Sequence, residues 1–355
     1  MKKKTMILLG LALALVLVFL IPMIACKAPT TEEASDAEEA VVETVEEEVA
    51  AEEVVVTAED SDSCMDCHND TTIILAREVQ WENSLHGAGY TFERNGASCA
   101  GCHTSEGFTE RMAAGTFEVA ETIQDPSPIN CRTCHNIHDT YTASDWSLTS
   151  SDPVTLELTG DVFDLGKGNL CANCHQPRVS YEIPVVGGGD VEITSTRFGP
   201  HHGDQSSMLV GVGGYGDEFT GSSLHDDVEN GCITCHMSSA YGKQAGGHTM
   251  NNTYEYHGAV EENLAGCIAC HEDIESFDRD GLQTEVEEML EEVRVLLVAQ
   301  GLIDGESGSG IPGTFTSEQA GALWNYKTVE EDRSKGVHNP KYAKYLLETA
   351  LEALQ

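Results

Sequence analysis

The feature that most constrains this chain is a five-residue phrase, Cys-x-x-Cys-His, that occurs six times. The copies begin at Cys64, Cys99, Cys131, Cys171, Cys232 and Cys267. Their second cysteines are Cys67, Cys102, Cys134, Cys174, Cys235 and Cys270, and their histidines are His68, His103, His135, His175, His236 and His271. Together they use twelve of the thirteen cysteines. Two thiols at this spacing can each form a thioether to one haem, and the adjoining imidazole can bind its iron from one face. A lone Cys-x-x-Cys would fit a zinc ribbon or a redox pair equally well. Disulfides would be at home in an exported protein. None of these requires a histidine directly after every second cysteine. The repetition therefore implies six haem c groups.

The motifs span 208 residues, with successive first cysteines 35, 32, 40, 61 and 35 residues apart. Such intervals leave little room for long helices or a large sheet. The expected fold is mainly α with extensive loops, its core built largely by haem rings and flanked by C-terminal helices. Long loops, which ordinarily argue against a compact domain, are acceptable when covalent cofactors replace the missing contacts.

A second iron ligand has to come from elsewhere. Of fourteen histidines, eight lie outside the motifs: His86, His138, His201, His202, His225, His248, His257 and His338. Six bis-histidine centres would need six of them. His86 and His225 each follow a Ser-Leu pair shortly before a motif. His138 sits one helical turn after His135, so it must serve a different iron from that residue. One of the adjacent His201 and His202 is expected to ligate. His248 follows two glycines, and His338 immediately precedes a helix start. His257 has the least suggestive setting. Methionine is the other available ligand and would raise the potential. Met65, Met208, Met237 and Met250 lie near motifs but read more simply as packing residues.

The first 25 residues read as an export leader, with Lys2, Lys3 and Lys4 before an apolar run from Met6 to Ile21. Ala25-Cys26 resembles a lipoprotein processing site, which would leave Cys26 as the lipidated first residue. An uncleaved membrane anchor is the alternative; the run is barely long enough to span. Residues 27–63 contain fourteen acidic side chains and one Lys. With almost no core-forming residue, residues 26–63 should be a disordered, self-repelling tether. Residues 64–280 are then the haem domain and 281–355 a helical segment packed on it. From residue 64 onward 15 basic side chains stand against 46 acidic ones. That balance excludes nucleic acid as a partner; it fits basic proteins, cations or mineral surfaces as partners, and equally a charge that serves only solubility.

After His271 the pattern turns helical. Thr284 to Gln300 has apolar residues at helical spacing, an expected capping box from Thr284 to Glu287, and Gly301 to end it. A second helix is expected over Ser317 to Thr328, with Trp324 and Tyr326 inward. A third should start at Asn339 with Pro340 in its first turn and run to about Leu354. The glycine-rich stretch from Gly211 to Gly216 lacks a nucleotide-binding context and is expected to be a flexible loop beside the haems.

The six motifs, with Trp81-x-x-Ser84-x-His86-Gly87, Gly199-Pro-His-His202, Gly247-His248-Thr249 and Gly336-Val-His338-Asn339-Pro340, resemble multihaem c-type cytochromes. That group includes pentahaem nitrite reductase, cytochrome c554, octahaem hydroxylamine oxidoreductase and extracellular electron-transfer cytochromes. The resemblance covers about residues 60–355. It implies stacked and perpendicular haem pairs, with C-terminal helices beside the row of irons. Ammonia-forming nitrite reductase typically replaces one motif histidine with Lys, and no motif here does so, which puts that chemistry in doubt.

The expected function is electron transfer in anaerobic or extracellular respiration, by a membrane-attached relay in the periplasm or on the cell surface. Its partners would be redox proteins or extracellular acceptors. One alternative is a reductase of nitrogen or sulfur oxyanions with one open iron. Another is a subunit of a polymeric cytochrome wire or other homo-oligomer.

Overall fold

The computed structural model describes His68 and residues 73–355. The expected leader, Cys26, the acidic segment, Met65, and Cys64 and Cys67 of the first motif lie outside the described residues. All described residues belong to one contact unit, Val56–Gln355.

Short helices and loops make up the motif-bearing part. Helix α1 (Ile73–Glu82) leads to a single turn at Leu85–Ala88, capped by the Ser84 side chain. Helix α2 (Ala97–His103) carries the second motif and runs into α3 (Ser105–Ala114), with Thr104 capping the latter. Further single turns hold the later motifs, at Cys131–Cys134, Asn169–Ala172 and Cys232–His236. A helical turn suits the motif physically. Residues i, i+3 and i+4 share one face, so both sulfurs and the imidazole emerge on the same side.

The strands are brief and all pair antiparallel. β1 (Val154–Thr155) pairs with β2 (Val162–Phe163), and β3 (Val191–Ile193) with the late strand β6 (Gly313–Phe315). β4 (Thr253–Tyr256) and β5 (Ala259–Glu262) form a hairpin. Its two connecting residues, His257 and Gly258, have φ of 51° and 83°, as a two-residue turn matched to strand twist requires. His257 is thus an exposed turn residue.

A conventional apolar core sits on the C-terminal side, so haem is not the whole interior. Helices α4 (Leu282–Ala299), α5 (Ser317–Asp332) and α6 (Pro340–Ala353) pack together around Val286, Val293, Leu297, Leu323, Trp324, Leu346 and Leu347, all essentially excluded from solvent. Ile193, Phe198 and Met208 reach into the same cluster from the motif-bearing part. Trp324 and Tyr326 face inward as expected, but α5 continues one turn past Thr328, to Asp332. Helix α4 begins two residues early. Thr284 lies inside it and donates to Asp278, whose carboxylate also accepts the Thr284 amide. The expected capping box therefore does not form, because an aspartate in the preceding loop takes its place. Asn339 caps α6 with Pro340 in its first turn, as expected.

The glycine-rich stretch is not a loose loop beside the motifs. It is pressed onto the C-terminal helices. Trp324 donates its indole N–H to Gly213 O at 2.8 Å, and the Gly214 amide donates to the Tyr342 hydroxyl at 2.7 Å. Buried Asn325 accepts from the Tyr215 amide and donates to the carbonyls of Tyr215 and Leu346. A Cβ on Gly214 would lie 2.1 Å from a Leu346 methyl, so glycine is demanded by close approach rather than by mobility. Gly214→Ala is expected to cost about 1–3 kcal/mol through overpacking, lowering the thermal midpoint of the purified protein while leaving its haem content unchanged. An unshifted midpoint would contradict this packing.

Candidate functional site

One cavity of about 3180 Å³ runs through the motif-bearing part. That is well beyond the roughly 300–1,000 Å³ of an ordinary small-molecule pocket. Its wall includes all ten described motif cysteines and thirteen of the fourteen histidines. The one missing is His257. Among the described residues the cysteines are free, with no disulfide.

Histidines meet in pairs across this space. His68 faces His138 with ring centroids 5.8 Å apart, His175 faces His86 at 6.1 Å, and His135 faces His248 at 6.3 Å. His271 faces His225 at 6.2 Å, and His236 faces His338 at 6.2 Å. The sixth motif histidine, His103, is close enough to His201 and His202 for their charges to interact, and those two rings are 5.1 Å apart. Two trans imidazoles on one metal, each with a bond of about 2.0–2.1 Å, place their centroids roughly 6 Å apart. The spacing is therefore that of rings with room for one metal between them. In every pair one ring belongs to a motif and the other comes from a distant stretch of chain.

The other ring nitrogen is occupied systematically. Every hydrogen bond of a histidine ring among the described residues uses Nδ1. His135 donates to Trp146 O at 2.8 Å, His225 to Val337 O at 2.7 Å, and His236 to Met250 O at 3.1 Å. His175 reaches Gln205 Oε1 at 3.3 Å, His202 reaches Glu331 Oε2 at 2.8 Å, and His338 reaches Asp332 Oδ1 at 2.6 Å. His86 lies 3.1 Å from Met250 Sδ. His248 and His271 instead meet the guanidinium groups of Arg77 and Arg279, at 3.1 and 2.8 Å. An Nδ1–H donated to an acceptor fixes the tautomer and leaves Nε2 for a metal.

Electrostatics favour neutral rings. Burial, helped by His175, Arg178 and Arg77 respectively, pushes His86, His201 and His248 down to about 4. Burial also lowers His103, His175, His236 and His271. His338 goes the other way: burial lowers it, but the Asp332 carboxylate outweighs that and raises it. Neutral imidazole is the ligating form.

Thiols of different motifs also lie side by side. Cys102 neighbours Cys174, Cys171 neighbours Cys232, and Cys235 feels Cys267 and Cys270. The motif order through space is therefore second, fourth, fifth, sixth, with Cys134 of the third beside the fourth.

The charge of the wall was not legible from the overall balance. Nine of the 15 basic side chains after residue 64 line the cavity, but only eight of the 46 acidic ones. Arg77, Arg94, Arg132, Lys167 and Arg178 have no carboxylate within ion-pair distance among the described residues. The Arg178 Nε is buried with no hydrogen-bond partner. Haem brings carboxylates of its own, and an acidic protein that lines one cavity with unpaired cations fits such a group. A sequence signal existed: Arg94, Arg132, Lys167 and Arg178 each lie within five residues of a motif. Nothing comparable pointed to Glu331, Asp332 or Gln205. Of the methionines, Met208 is buried in the apolar core, while Met237 and Met250 line the cavity.

Solved structures and curated sequences can be compared with this arrangement. The outer cell wall cytochrome OcwA matches with a TM-score of 0.50 at 22% identity, over 79% of this chain and 50% of that one. The fold is that of a multihaem cytochrome. In sequence the chain is similar to the C-type polyheme cytochrome OmcB of Geobacter sulfurreducens, 26% identical over 212 residues, in two strains. That match covers 51% of this chain and 28% of the relative, so the chain spans under a third of OmcB. No family model matches.

Only a small apolar cluster of Val154, Leu156, Phe163, Ala172 and Leu209 backs this cavity within the motif-bearing part among the described residues. Protein matured without haem attachment should lose amide protection across residues 73–280 and keep it in α4, α5 and α6, read by hydrogen exchange with mass spectrometry. Equal protection in both regions would count against a cofactor-dependent motif region.

Proposed function

We propose that this chain is an exported hexahaem c-type cytochrome that carries electrons through six bis-histidine centres, held to a membrane by lipid on Cys26. The observation that carries the reading is the pairing of a motif histidine with a second histidine at near-constant separation. On this reading the pairs are His68–His138, His103–His202, His135–His248, His175–His86, His236–His338 and His271–His225. His202 is preferred over His201 because its Nδ1 is already engaged by Glu331, the pattern of most other rings. The cysteines of each motif, including Cys64 and Cys67, would hold the rings by thioethers.

Haem supplies one-electron chemistry at iron. The chain's own residues would hold each iron with two imidazoles, orient those that donate from Nδ1 to an acceptor, and set basic side chains of the wall against haem carboxylates. With both positions filled, no centre has an open site for substrate, which supports a relay over a reductase. Adjacent thiols from neighbouring motifs support close haem edges, as electron passage needs. The outer cell wall location in the name of OcwA supports work at the cell surface, with extracellular acceptors or redox proteins as partners.

Intact mass of protein from a host that matures c-type cytochromes should report six haem additions. The ferric EPR spectrum should be entirely low-spin, and the reduced protein should not bind CO. His225→Ala should add one high-spin signal, and His257→Ala should add none. A substantial high-spin signal in the unaltered protein would favour the oxyanion reductase instead.

A further inference from the structure

The six pairs share one plan but not one electrostatic environment. Five of the nine rings have a neutral Nδ1 partner: the carbonyls of Trp146, Val337 and Met250, the amide oxygen of Gln205 and the Met250 sulfur. His248 and His271 lie beside guanidinium groups, and both Arg77 and Arg279 are exposed. Two rings meet carboxylates, supplied by consecutive residues at the end of α5. Glu331, which holds His202, is 20% exposed and has Arg333 at 3.8 Å. Asp332, which holds His338, is 1% exposed and has no Lys or Arg within ion-pair distance among the described residues.

The surroundings of Asp332 offer it no Lys or Arg partner among the described residues. Its neighbour Asp204 is buried, and burial together with the Asp332 and Glu331 carboxylates raises the Asp204 carboxyl well above the usual range, toward its neutral form. Asp332 is the last residue of a 16-residue helix, so the negative pole of that helix lies beside it. Among the described residues the donors to its second oxygen are the Ser334 hydroxyl and amide. A carboxylate accepting the Nδ1–H of a ligand makes that imidazole a stronger donor to its metal. Buried charge is also far less screened than the exposed Arg77 and Arg279.

We propose that Asp332 sets the His236–His338 centre as the lowest-potential centre of the six. It acts through His338 and so is a positioning residue. The proposal rests on the bis-histidine reading above. Its effect would make this centre the last to be reduced, a step in the middle of the relay beside the fourth and sixth motifs.

The test is a spectroelectrochemical titration of the full holoprotein, with EPR of each poised sample. Asp332→Asn keeps an acceptor for Nδ1 and removes the charge. The lowest midpoint should rise by the order of a tenfold change in its one-electron equilibrium, about 59 mV, and one low-spin g-value should move. The other five midpoints should hold. Ser334→Ala takes away the hydroxyl that draws charge from Asp332, so it should shift the same midpoint downward. Asp332→Glu, with the charge retained, should resemble the unaltered protein. An unchanged lowest midpoint in a six-haem Asp332→Asn protein overturns the proposal. If that variant does not mature, a Ser334→Ala midpoint that stays or rises overturns it. Failure of the underlying reading looks different: His338→Ala would then add no high-spin signal.

Discussion

Everything in the motif-bearing part depends on one geometric requirement, that a motif imidazole meet a second imidazole about one metal's width away. The motif alone fixes only one side of each centre. The facing rings come from 46 to 113 residues away in the chain, as in His225 with His271 and His135 with His248. Each pair, once bridged by a metal, closes a long loop. Closing long loops is costly in chain entropy but grows only slowly with length, so six such closures can hold together a region whose helices are mostly single turns. That is why its strands stay at two to four residues without the fold falling apart.

The C-terminal helices serve this requirement rather than standing apart from it. Their apolar core fixes α5, and the end of α5 then presents Glu331 to His202 and Asp332 to His338. Gln205 donates to the carbonyls of the same two residues and accepts from His175. One helix end therefore reaches three of the cavity's histidines. The glycine-rich stretch locks α5 against the motif-bearing part through Trp324 and Asn325, so packing energy in an ordinary core is converted into ring orientation at the cavity.

How much of this the sequence disclosed follows from the range of each interaction. Motif cysteines and histidines are local in the chain, and they were legible at once. The cap at Asn339 and the inward face of α5 are local too. His257 could be set aside, and its place in a tight turn explains why it lines nothing. What stayed hidden was long-range. Which ring faces which, the Asp278 cap on α4, the docking of Gly214 and the α5 terminus all depend on residues far apart in sequence. The extra turn of α5 was missed because Val329 to Asp332 offers no stop signal before Arg333, whose left-handed φ of 62° ends the helix.

Charge placement resolves an apparent contradiction. A chain this acidic should repel the carboxylates that haem carries, and a uniform distribution of its charges would do so. The acids instead lie mostly off the cavity wall, where water and salt screen them, while Arg94, Arg132, Lys167 and Arg178, with no carboxylate within ion-pair distance among the described residues, line the cavity. A buried carboxylate with no Lys or Arg within ion-pair distance among the described residues is costly. Asp332 is kept there by the donors it has, His338 and Ser334. Replacing it with a neutral acceptor would relieve that cost, so its presence is better explained by what it does to His338 than by any gain in stability.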